Sequence, residues 1–443
     1  MPRAIVLMGL LACGIGGSVA AAESPDALRT EMQQRDSALV QRGFNLTNTF
    51  ELGGDGSKLA HVDLLVPPSN VPHELTFWAR ALGGDVEFRV ITADARLLAS
   101  WGGQSGETNL TLILPAGRNR VEVDGSHADS VFGVLGVKGP VLRTCRLDPA
   151  RASMHSARPS AGFHWPYLLY MPHEVRSPFL LAVPNNTGFA TIDPELLAAD
   201  GACAAERTAD LADHLGVPVL VPLFPRPPVP GEEENLYLHA LTRASLLAQV
   251  PEYARVDLQL MAMLDDATSA LANQGRKVSR RVLITGFSAS GSFASRFAML
   301  HPDRVLAVAA GSPGGWPIVP VSKDGGSVLP YPVGIGDLKS LTGTTPALSS
   351  LRRVAWFFFM GDRDTNDSVP HRDSFSKADE SLIVERFGSS LVTRWKEAER
   401  LYRGNGVEAR FKLYPGVAHE VSREMQEDIE AVFVSAMRTD NRL

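Results

Sequence analysis

The feature of this sequence that most restricts its fold is a short turn of small residues between two apolar segments. The turn is Gly286-Phe287-Ser288-Ala289-Ser290-Gly291, and the apolar run 282–285 before it predicts a buried strand. Apolar residues then recur at helical spacing, at Phe293, Phe297 and Leu300. A turn this tight accepts only small residues two positions before and after its central residue, and Gly286 and Ser290 satisfy this. The pattern predicts a nucleophile elbow with Ser288 at its tip and Ser290 as a spacer.

Strands and helices alternate on both sides of this turn. Apolar runs predict further strands at residues 179–183, 217–221, 305–310, 354–360 and 411–414. Periodic apolar positions predict helices at residues 204–215, 256–271 and 421–437. From about residue 166 the chain is therefore predicted to form a mostly parallel sheet with helices on both faces.

An elbow serine needs a base, and the base needs a group that orients it. The strand at 354–360 is followed by three carboxylates in one polar turn, of which Asp364 is the favoured acid; Asp367 is the second choice and Asp362 lies closer to the strand. The last strand is followed by a short loop that ends in His419. Because strand ends of a parallel sheet collect catalytic groups, we expect Asp364 and His419 near Ser288.

The ordered motifs GFSASG, GDRDTND and PGVAH resemble those of the α/β-hydrolase superfamily. The resemblance is closest to secreted esterases and to polyhydroxybutyrate-depolymerase-like or feruloyl-esterase-like members, and it covers roughly residues 166–437. It implies an acyl-enzyme mechanism in which Ser288 attacks the substrate, His419 carries the proton and Asp364 holds His419 in the correct tautomer. It implies neither a metal ion nor an organic cofactor.

The expected oxyanion hole is only partly specified. One donor is expected to be the backbone N–H of Ala289. Many relatives place a His-Gly motif after the third strand to supply the second donor, but this sequence has Val183-Pro184-Asn185-Asn186-Thr187-Gly188 there. Asn186 is the first candidate and Asn185 the alternative, either for the oxyanion or for substrate binding. An ordinary turn is the competing interpretation.

Three segments are candidates for the walls of a substrate pocket. Trp316 follows a strand at the expected edge of the sheet, and a pocket wall and a core position are equally compatible with the sequence. Residues 318–347 are rich in Gly, Pro and Ser and are a candidate lid. Residues 224–234 follow another strand and are a candidate for the opposite rim.

The N-terminal part of the chain has a different pattern. Residues 59–140 contain short, partly alternating apolar segments at intervals of about 10 residues, which predicts an antiparallel sandwich. A polar helix is predicted at 25–43 and a linker at 141–165. We therefore expect a β-rich domain at 23–148 and a catalytic domain at 149–443. The histidines of the first domain are scattered and do not suggest a metal site.

The first 22 residues have the features of a cleaved secretory signal. Arg3 precedes an apolar stretch, and Ala20-Ala21-Ala22 fits a cleavage site. The alternative is a lipoprotein signal that uses Cys13. Either signal predicts export to the periplasm or beyond the cell, where disulfides persist. Whether Cys145 and Cys203 form such a bond is left open by the sequence.

Composition narrows the possible partners. The formal net charge is −6 and no long basic block occurs, which argues against a nucleic-acid partner. No apolar run after the signal reaches the length of a membrane span. The leading hypothesis is an exported serine hydrolase that acts on a small or polymeric carboxylic ester. The alternatives are a serine peptidase of the same fold and a surface- or glycan-binding protein with an inert hydrolase domain. The oligomeric state is left open.

Overall fold

The computed structural model divides the 443-residue chain into two compact units, Met1–Cys145 and Arg146–Leu443. The predicted signal, residues 1–22, lies outside the described residues, and in the predicted helix at 25–43 the five described positions are helical. Beyond those five positions between 28 and 39, the described residues are 46–52, 59–68, 73–82, 84–103, 106–125, 131–139, 141–145, 147–188, 190–228, 236–371 and 374–440.

The first unit is built from two antiparallel sheets. Its strands are β1 (Leu46–Leu52), β2 (Leu59–Val66), β3 (His73–Leu82), β4 (Val86–Thr92), β5 (Leu97–Gly103), β6 (Gly106–Leu114), β7 (Gly117–Asp124), β8 (Val131–Lys138) and β9 (Leu142–Arg143). One sheet has the order β1-β8-β3-β6, and the other has the order β5-β4-β7-β2-β9. The predicted antiparallel sandwich is confirmed.

Alternating side chains of both sheets form the core of this sandwich. In β4 the buried residues are Val86, Phe88 and Val90, and the Phe88 ring stacks on Trp101 with centroids 5.2 Å apart. Strand β8 was not predicted from the sequence, because glycines interrupt its apolar pattern. Gly133 is needed there, since a Cβ at this position would lie 2.2 Å from the Phe50 ring.

The second unit contains one large sheet and a small hairpin. The strands are β10 (Ala152–His155), β11 (Tyr167–Tyr170), β12 (Leu181–Ala182), β13 (Val219–Pro222), β14 (Val282–Phe287), β15 (Val305–Gly311), β16 (Lys323–Asp324), β17 (Ser327–Val328), β18 (Ala355–Gly361) and β19 (Ala409–Tyr414). The helices are α1 (Pro194–Arg207), α2 (Ala209–Leu215), α3 (Arg243–Leu247), α4 (Val256–Asn273), α5 (Ala289–Leu300), α6 (Leu338–Thr342), α7 (Leu348–Leu351), α8 (Ser368–His371), α9 (Lys377–Phe387), α10 (Leu391–Gly404) and α11 (Arg423–Asp440).

The strand order of the large sheet identifies the fold. The order is β10-β11-β13-β12-β14-β15-β18-β19. Strand β11 runs antiparallel to both of its neighbours, and the strands from β13 to β19 are parallel to one another. An eight-stranded sheet with an antiparallel second strand and an exchanged third and fourth strand is the α/β-hydrolase fold. The fold class predicted from the sequence is therefore confirmed.

The central strands are buried on both faces, as their continuous apolar sequences predict. Leu283, Ala307 and Phe357 belong to a core with α1, α2 and α11, whereas Ile284 and Val308 belong to a second core with α4 and α5. Successive side chains thus point to opposite faces of the sheet and are covered by helices on each.

Two expectations for connecting segments were wrong. The predicted linker at 141–165 contains strands β9 and β10, which are too short to give a sequence signal. The predicted lid at 318–347 packs into the core of the second unit, where Leu329, Tyr331 and Val333 are fully buried. Its Gly and Pro residues shape a compact loop rather than an exposed flap.

Both Cys145 and Cys203 are disulfide-bonded, so the bridge that the sequence left open is formed. Cys203 lies in α1 and is buried.

Candidate active site

Ser288 occupies the junction between β14 and α5 in a conformation that few residues adopt. Its backbone angles are φ 60° and ψ −126°, well outside the regions that are comfortable for a side-chain-bearing residue. The backbone N–H of Ser288 donates to the carbonyl of Gly311 at 2.9 Å, which ties the turn to the end of β15. Strain of this kind is maintained only where surrounding contacts enforce it, and it concentrates at functional sites.

The small residues around Ser288 are required by close backbone approach. A Cβ at Gly286 would lie 2.3 Å from the carbonyl oxygen of Ser290, and a Cβ at Gly291 would lie 2.3 Å from that of Gly311. Ser290 does more than the spacer role predicted for it. Its Oγ accepts from the backbone N–H of Phe287 at 3.0 Å and donates to the Phe287 carbonyl at 2.9 Å, which closes the turn.

Asp364 and His419 are brought together at the end of the same sheet. Strand β18 ends at Gly361 and β19 ends at Tyr414, and the loops that follow place His419 Nδ1 2.9 Å from Asp364 Oδ2. Asp364 is 6% exposed. A buried carboxylate that accepts from Nδ1 fixes the imidazole in the tautomer whose Nε2 lone pair is available as a base.

Two further donors hold the Asp364 carboxylate. The Ser312 hydroxyl donates to Oδ2 at 2.5 Å, and the backbone N–H of Asn366 donates to Oδ1 at 2.8 Å. Burial by itself raises the pKa of Asp364. The hydrogen bonds and charge of His419, with those two donors, outweigh burial and hold the pKa below its ordinary value. Asp364 therefore stays ionised throughout the neutral range.

The His419 imidazole has two further neighbours, one polar and one aromatic. The Asn366 side-chain nitrogen lies 2.8 Å from His419 Nε2, and the Phe287 ring centroid lies 4.7 Å from the imidazole centroid. Among the described residues, no hydrogen bond joins Ser288 Oγ to His419. The imidazole thus lies next to the elbow, with its Nε2 lone pair occupied by an amide that a substrate must replace.

The two other carboxylates of this loop have structural partners. Asp367 forms an ion pair with Arg394, whose side chain is fully buried, and its Oδ1 accepts from the Val369 backbone N–H at 3.1 Å. Asp362 is exposed, and its Oδ1 accepts from the Gly416 backbone N–H at 2.7 Å. Only Asp364 of the three contacts His419.

The candidate oxyanion donors have different environments. Ala289 is the first residue of α5, so its N–H is one of the donors that a helix leaves without an intrahelical partner. Asn186 is half-buried and accepts a hydrogen bond on Oδ1 from Tyr237 Oη at 3.3 Å. It remains the candidate for the second donor.

Asn185 does not fit its proposed role in substrate binding. It is 1% exposed, and its side-chain nitrogen donates to the Phe224 carbonyl at 2.9 Å while its oxygen accepts from the Phe224 backbone N–H at 3.1 Å. The same side-chain nitrogen also contacts Asp200 Oδ2 at 3.3 Å. The Asn185 amide therefore joins the loops after β12 and β13 and is unavailable to a substrate.

Trp316 is also a core residue and not a pocket wall. It is 1% exposed, stacks on Phe387 with ring centroids 4.3 Å apart, and donates from Nε1 to the Val333 carbonyl at 2.8 Å. The proposed rim residue Phe224 is likewise buried. Spacing along the chain identified the loops correctly but did not indicate which side chains turn inward.

Two residues of the site were missed in the sequence, Ser312 and Asn366. Ser312 has φ 41° and is 3% exposed, and its hydroxyl reaches Asp364 from the end of β15. Asn366 lies in the GDRDTND motif, and Ser312 lies in the loop after β15 that also carries Trp316. Their residue types, a serine after a strand and an asparagine in a polar turn, are too common to have indicated a role.

Within the described part of the chain, no three His, Cys, Asp or Glu side chains are arranged to hold a metal ion. None of the helices described is both long enough and apolar enough to cross a bilayer.

No protein-family model matches the sequence, and no curated protein is detectably similar to it. Several solved structures align with part of this chain. Poly(aspartic acid) hydrolase-1 from Sphingomonas sp. KT-1 aligns with 18% identity and a TM-score of 0.42, over 66% of this chain and 98% of that chain. A ferulic acid esterase aligns with 17% identity and a TM-score of 0.36, over 65% and 97%. An S-formylglutathione hydrolase from Agrobacterium tumefaciens aligns with 13% identity and a TM-score of 0.36, over 65% and 94%.

Likeness at this level carries no argument about activity, and the fold assignment rests on the strand order and connectivity of the second unit itself. That topology, with a strained serine between its fifth strand and the following helix, defines a protein of the α/β-hydrolase fold. The resemblance suggested by the three sequence motifs is thereby confirmed.

Proposed function

We propose that this protein is a serine hydrolase that cleaves a carboxylic ester through an acyl-enzyme intermediate. The observation that carries the proposal is the pairing of a strained Ser288 with an imidazole that a buried Asp364 orients, at one edge of one sheet. Ser288 Oγ attacks the ester carbonyl while His419 Nε2 accepts its proton and then delivers it to the leaving alkoxide. In the second half-reaction a water molecule attacks the acyl-enzyme, again with His419 as the base, and the carboxylic acid is released from Ser288.

The oxyanion of each tetrahedral intermediate is stabilised in this proposal by the Ala289 N–H and by Asn186. The Ala289 N–H lies at the N-terminus of α5, where the helix dipole favours negative charge. Before the first step, the Asn366 amide has to leave His419 Nε2 so that Ser288 Oγ can approach it. A rotation about the Asn366 side-chain bonds is sufficient, because this residue is exposed.

We further propose that the chain is exported. The N-terminal signal pattern supports export, and so do the disulfide-bonded Cys145 and Cys203, because such bonds persist in oxidising compartments. Fractionation of cells that express the full chain, with N-terminal analysis of the product, tests this. A mature protein that begins after Ala22 supports it, lipid on Cys13 supports the anchored alternative, and an intact cytoplasmic chain contradicts both.

The catalytic proposal is tested by covalent labelling with a fluorophosphonate and by hydrolysis of 4-nitrophenyl acetate. The full chain is expected to be labelled once and to hydrolyse the ester, and Ser288→Ala is expected to lose both properties. Ser295→Ala is the control, because it removes a hydroxyl of α5 that lies beyond the turn and donates to the Ser292 carbonyl, and it should keep the label. Labelling that survives Ser288→Ala in a folded protein contradicts the proposal.

A further inference from the structure

Among the described residues, one guanidinium group without an acid partner lies at the same edge of the sheet as the proposed site. Arg226 follows β13, and its position is fixed by two backbone hydrogen bonds with Thr191, of 2.7 and 3.0 Å. Its guanidinium carbon lies 4.1 Å from the centroid of the Tyr237 ring. The arginine is therefore held by its backbone and by an aromatic face, both of which leave its charge uncompensated.

The charge of Arg226 is not neutralised within the described part of the chain. No carboxylate there lies within ion-pair distance, and the buried Nε has no hydrogen-bond acceptor. In this unit Arg151 and Arg281 have carboxylate partners at 2.6 and 2.8 Å, whereas the buried Arg296 donates to the Ala240 carbonyl and forms no ion pair among the described residues. A half-buried cation without a counter-charge is costly, and an anion that reaches its terminal Nη groups offsets that cost.

The residues beneath Arg226 do not supply that anion. Asp200 accepts hydrogen bonds from Thr187 at 2.9 Å and from Asn185 at 3.3 Å, and it forms no ion pair with Arg226. His239 is fully buried, and burial lowers its pKa to about 4, so it carries no charge at neutral pH. Of these three groups, only the Arg226 guanidinium carries a positive charge that can attract an anion.

The position of Arg226 relates it to the proposed oxyanion hole. Tyr237, on which the guanidinium lies, donates from Oη to Asn186 Oδ1. In the sheet, β12 lies between β13 and β14, so the strand ends that lead to Arg226 and to Ser288 are separated by two strand spacings, or about 10 Å. The loops that carry Arg226 and Ser288 therefore begin close together at the same edge of the sheet.

We propose that Arg226 binds a carboxylate carried by the substrate, so that the ester cleaved at Ser288 is an anionic one. This inference rests on the proposed hydrolase function and adds the substrate class to it. The planar guanidinium offers two parallel N–H donors to a carboxylate, and stacking on Tyr237 restricts the plane in which they lie. An ester that carries a free acid group at a distance from its scissile carbonyl can engage both Ser288 and Arg226.

The test compares matched pairs of activated esters that differ in one negative charge. One pair is mono(4-nitrophenyl) adipate and its methyl ester, which carry the difference on the acyl side. The other pair is 4-acetoxybenzoate and its methyl ester, which carry it on the leaving-group side. Each is measured with wild type, Arg226→Met and Arg226→Lys, and with Arg400→Met as a control at an exposed arginine.

Wild type is expected to have a higher kcat/KM for the anionic member of at least one pair. Arg226→Met should lower that value by about 10- to 100-fold and leave the neutral member within about threefold. Arg226→Lys should restore part of the preference, and Arg400→Met should change neither. The preference should also weaken as salt is added.

This experiment distinguishes a failure of the anionic-substrate inference from a failure of the hydrolase proposal. If wild type hydrolyses both members of each pair equally, or if Arg226→Met lowers them in parallel, the anionic-substrate inference is overturned while the hydrolase proposal stands. If no ester is hydrolysed in a Ser288-dependent manner, the hydrolase proposal itself is wrong.

Discussion

At the scale of single residues, the loop 361–367 distributes three carboxylates over three tasks. Asp364 orients His419, Asp367 neutralises the buried Arg394, and Asp362 accepts a backbone N–H from the neighbouring loop. From the sequence, all three carboxylates were predicted to follow the end of a strand, and Asp364 was the favoured partner of the histidine. Because the three carboxylates have different partners, the loss of each charge is expected to have a different effect on the protein.

Asp364→Asn should lower kcat by about 10⁴-fold in a folded protein, because an amide in that position favours the wrong imidazole tautomer. Asp367→Asn should instead leave Arg394 without a counter-charge in the interior, which lowers stability by about 3–5 kcal/mol with little effect on turnover per folded molecule. Ester kinetics and denaturant unfolding of both variants check this. Reversed effects would assign the acid to Asp367.

In the protein without substrate, the Asn366 side chain is the hydrogen-bond partner of His419 Nε2. In Asn366→Asp, a carboxylate at this position would favour the protonated imidazole, whereas the wild-type amide carries no charge. Asn366→Asp should therefore move the acidic limb of the kcat/KM profile to higher pH by about one unit. Asn366→Ala, which supplies no charge, is the control and should move the limb little. An unchanged profile in Asn366→Asp would mean that the contact is absent in solution.

At the scale of elements, the position of His419 depends on how β19 is joined to α11. Asp428 of α11 accepts from Lys412 Nζ at 2.6 Å, from Arg410 at 2.6 Å and from Tyr414 Oη at 2.5 Å. Burial raises the pKa of Asp428, but the hydrogen bonds from Lys412, Tyr414 and Arg410 outweigh it and lower the pKa to about 2. One carboxylate thus fastens the last strand to the last helix, just before the loop that bears the imidazole.

Asp428→Asn should lower the free energy of unfolding by about 1–3 kcal/mol near neutral pH. Because the folded-state pKa is depressed, this contribution is complete above the unfolded value of about 3.9 and disappears as the pH falls toward 2. Urea unfolding of wild type and variant from pH 6 to pH 2 measures the difference. Asp303→Asn, which removes an exposed ion pair with Arg353, is the control and should cost at most about 1 kcal/mol. A difference that stays constant with pH would contradict the assignment.

At the scale of the whole molecule, the disulfide between Cys145 and Cys203 is expected to stabilise the protein by restricting its unfolded chain. It is not expected to take part in the reaction. Neither cysteine lies in the loops that carry Ser288, Asp364 or His419. The double Cys→Ser variant should lose about 2–4 kcal/mol of stability while its kcat remains near that of wild type. Thermal unfolding with and without reductant, together with ester kinetics, tests both parts. Lost turnover in a folded variant would place a cysteine in the site.

Much of this protein was determined by local sequence alone. The elbow could be recognised because its constraints are steric and local, since glycine and serine are needed within a few residues of Ser288. The parallel sheet was visible because strands buried on both faces need continuous apolar runs. The chain order of Ser288, Asp364 and His419 followed from strand ends, which the sequence marks by the transition from apolar to polar residues.

Other features were decided only when distant segments met. Strands β10 and β11 carry too few residues for a periodic signal, and they are defined by the neighbours with which they pair. Asn185 and Asn186 are adjacent and chemically identical, but their side chains have different partners. The Asn185 amide is hydrogen-bonded to the backbone of Phe224, whereas the Asn186 oxygen accepts from Tyr237. Which side chain is buried, and which donor is left unpaired, depends on contacts between loops far apart in sequence, and no local pattern encodes these contacts.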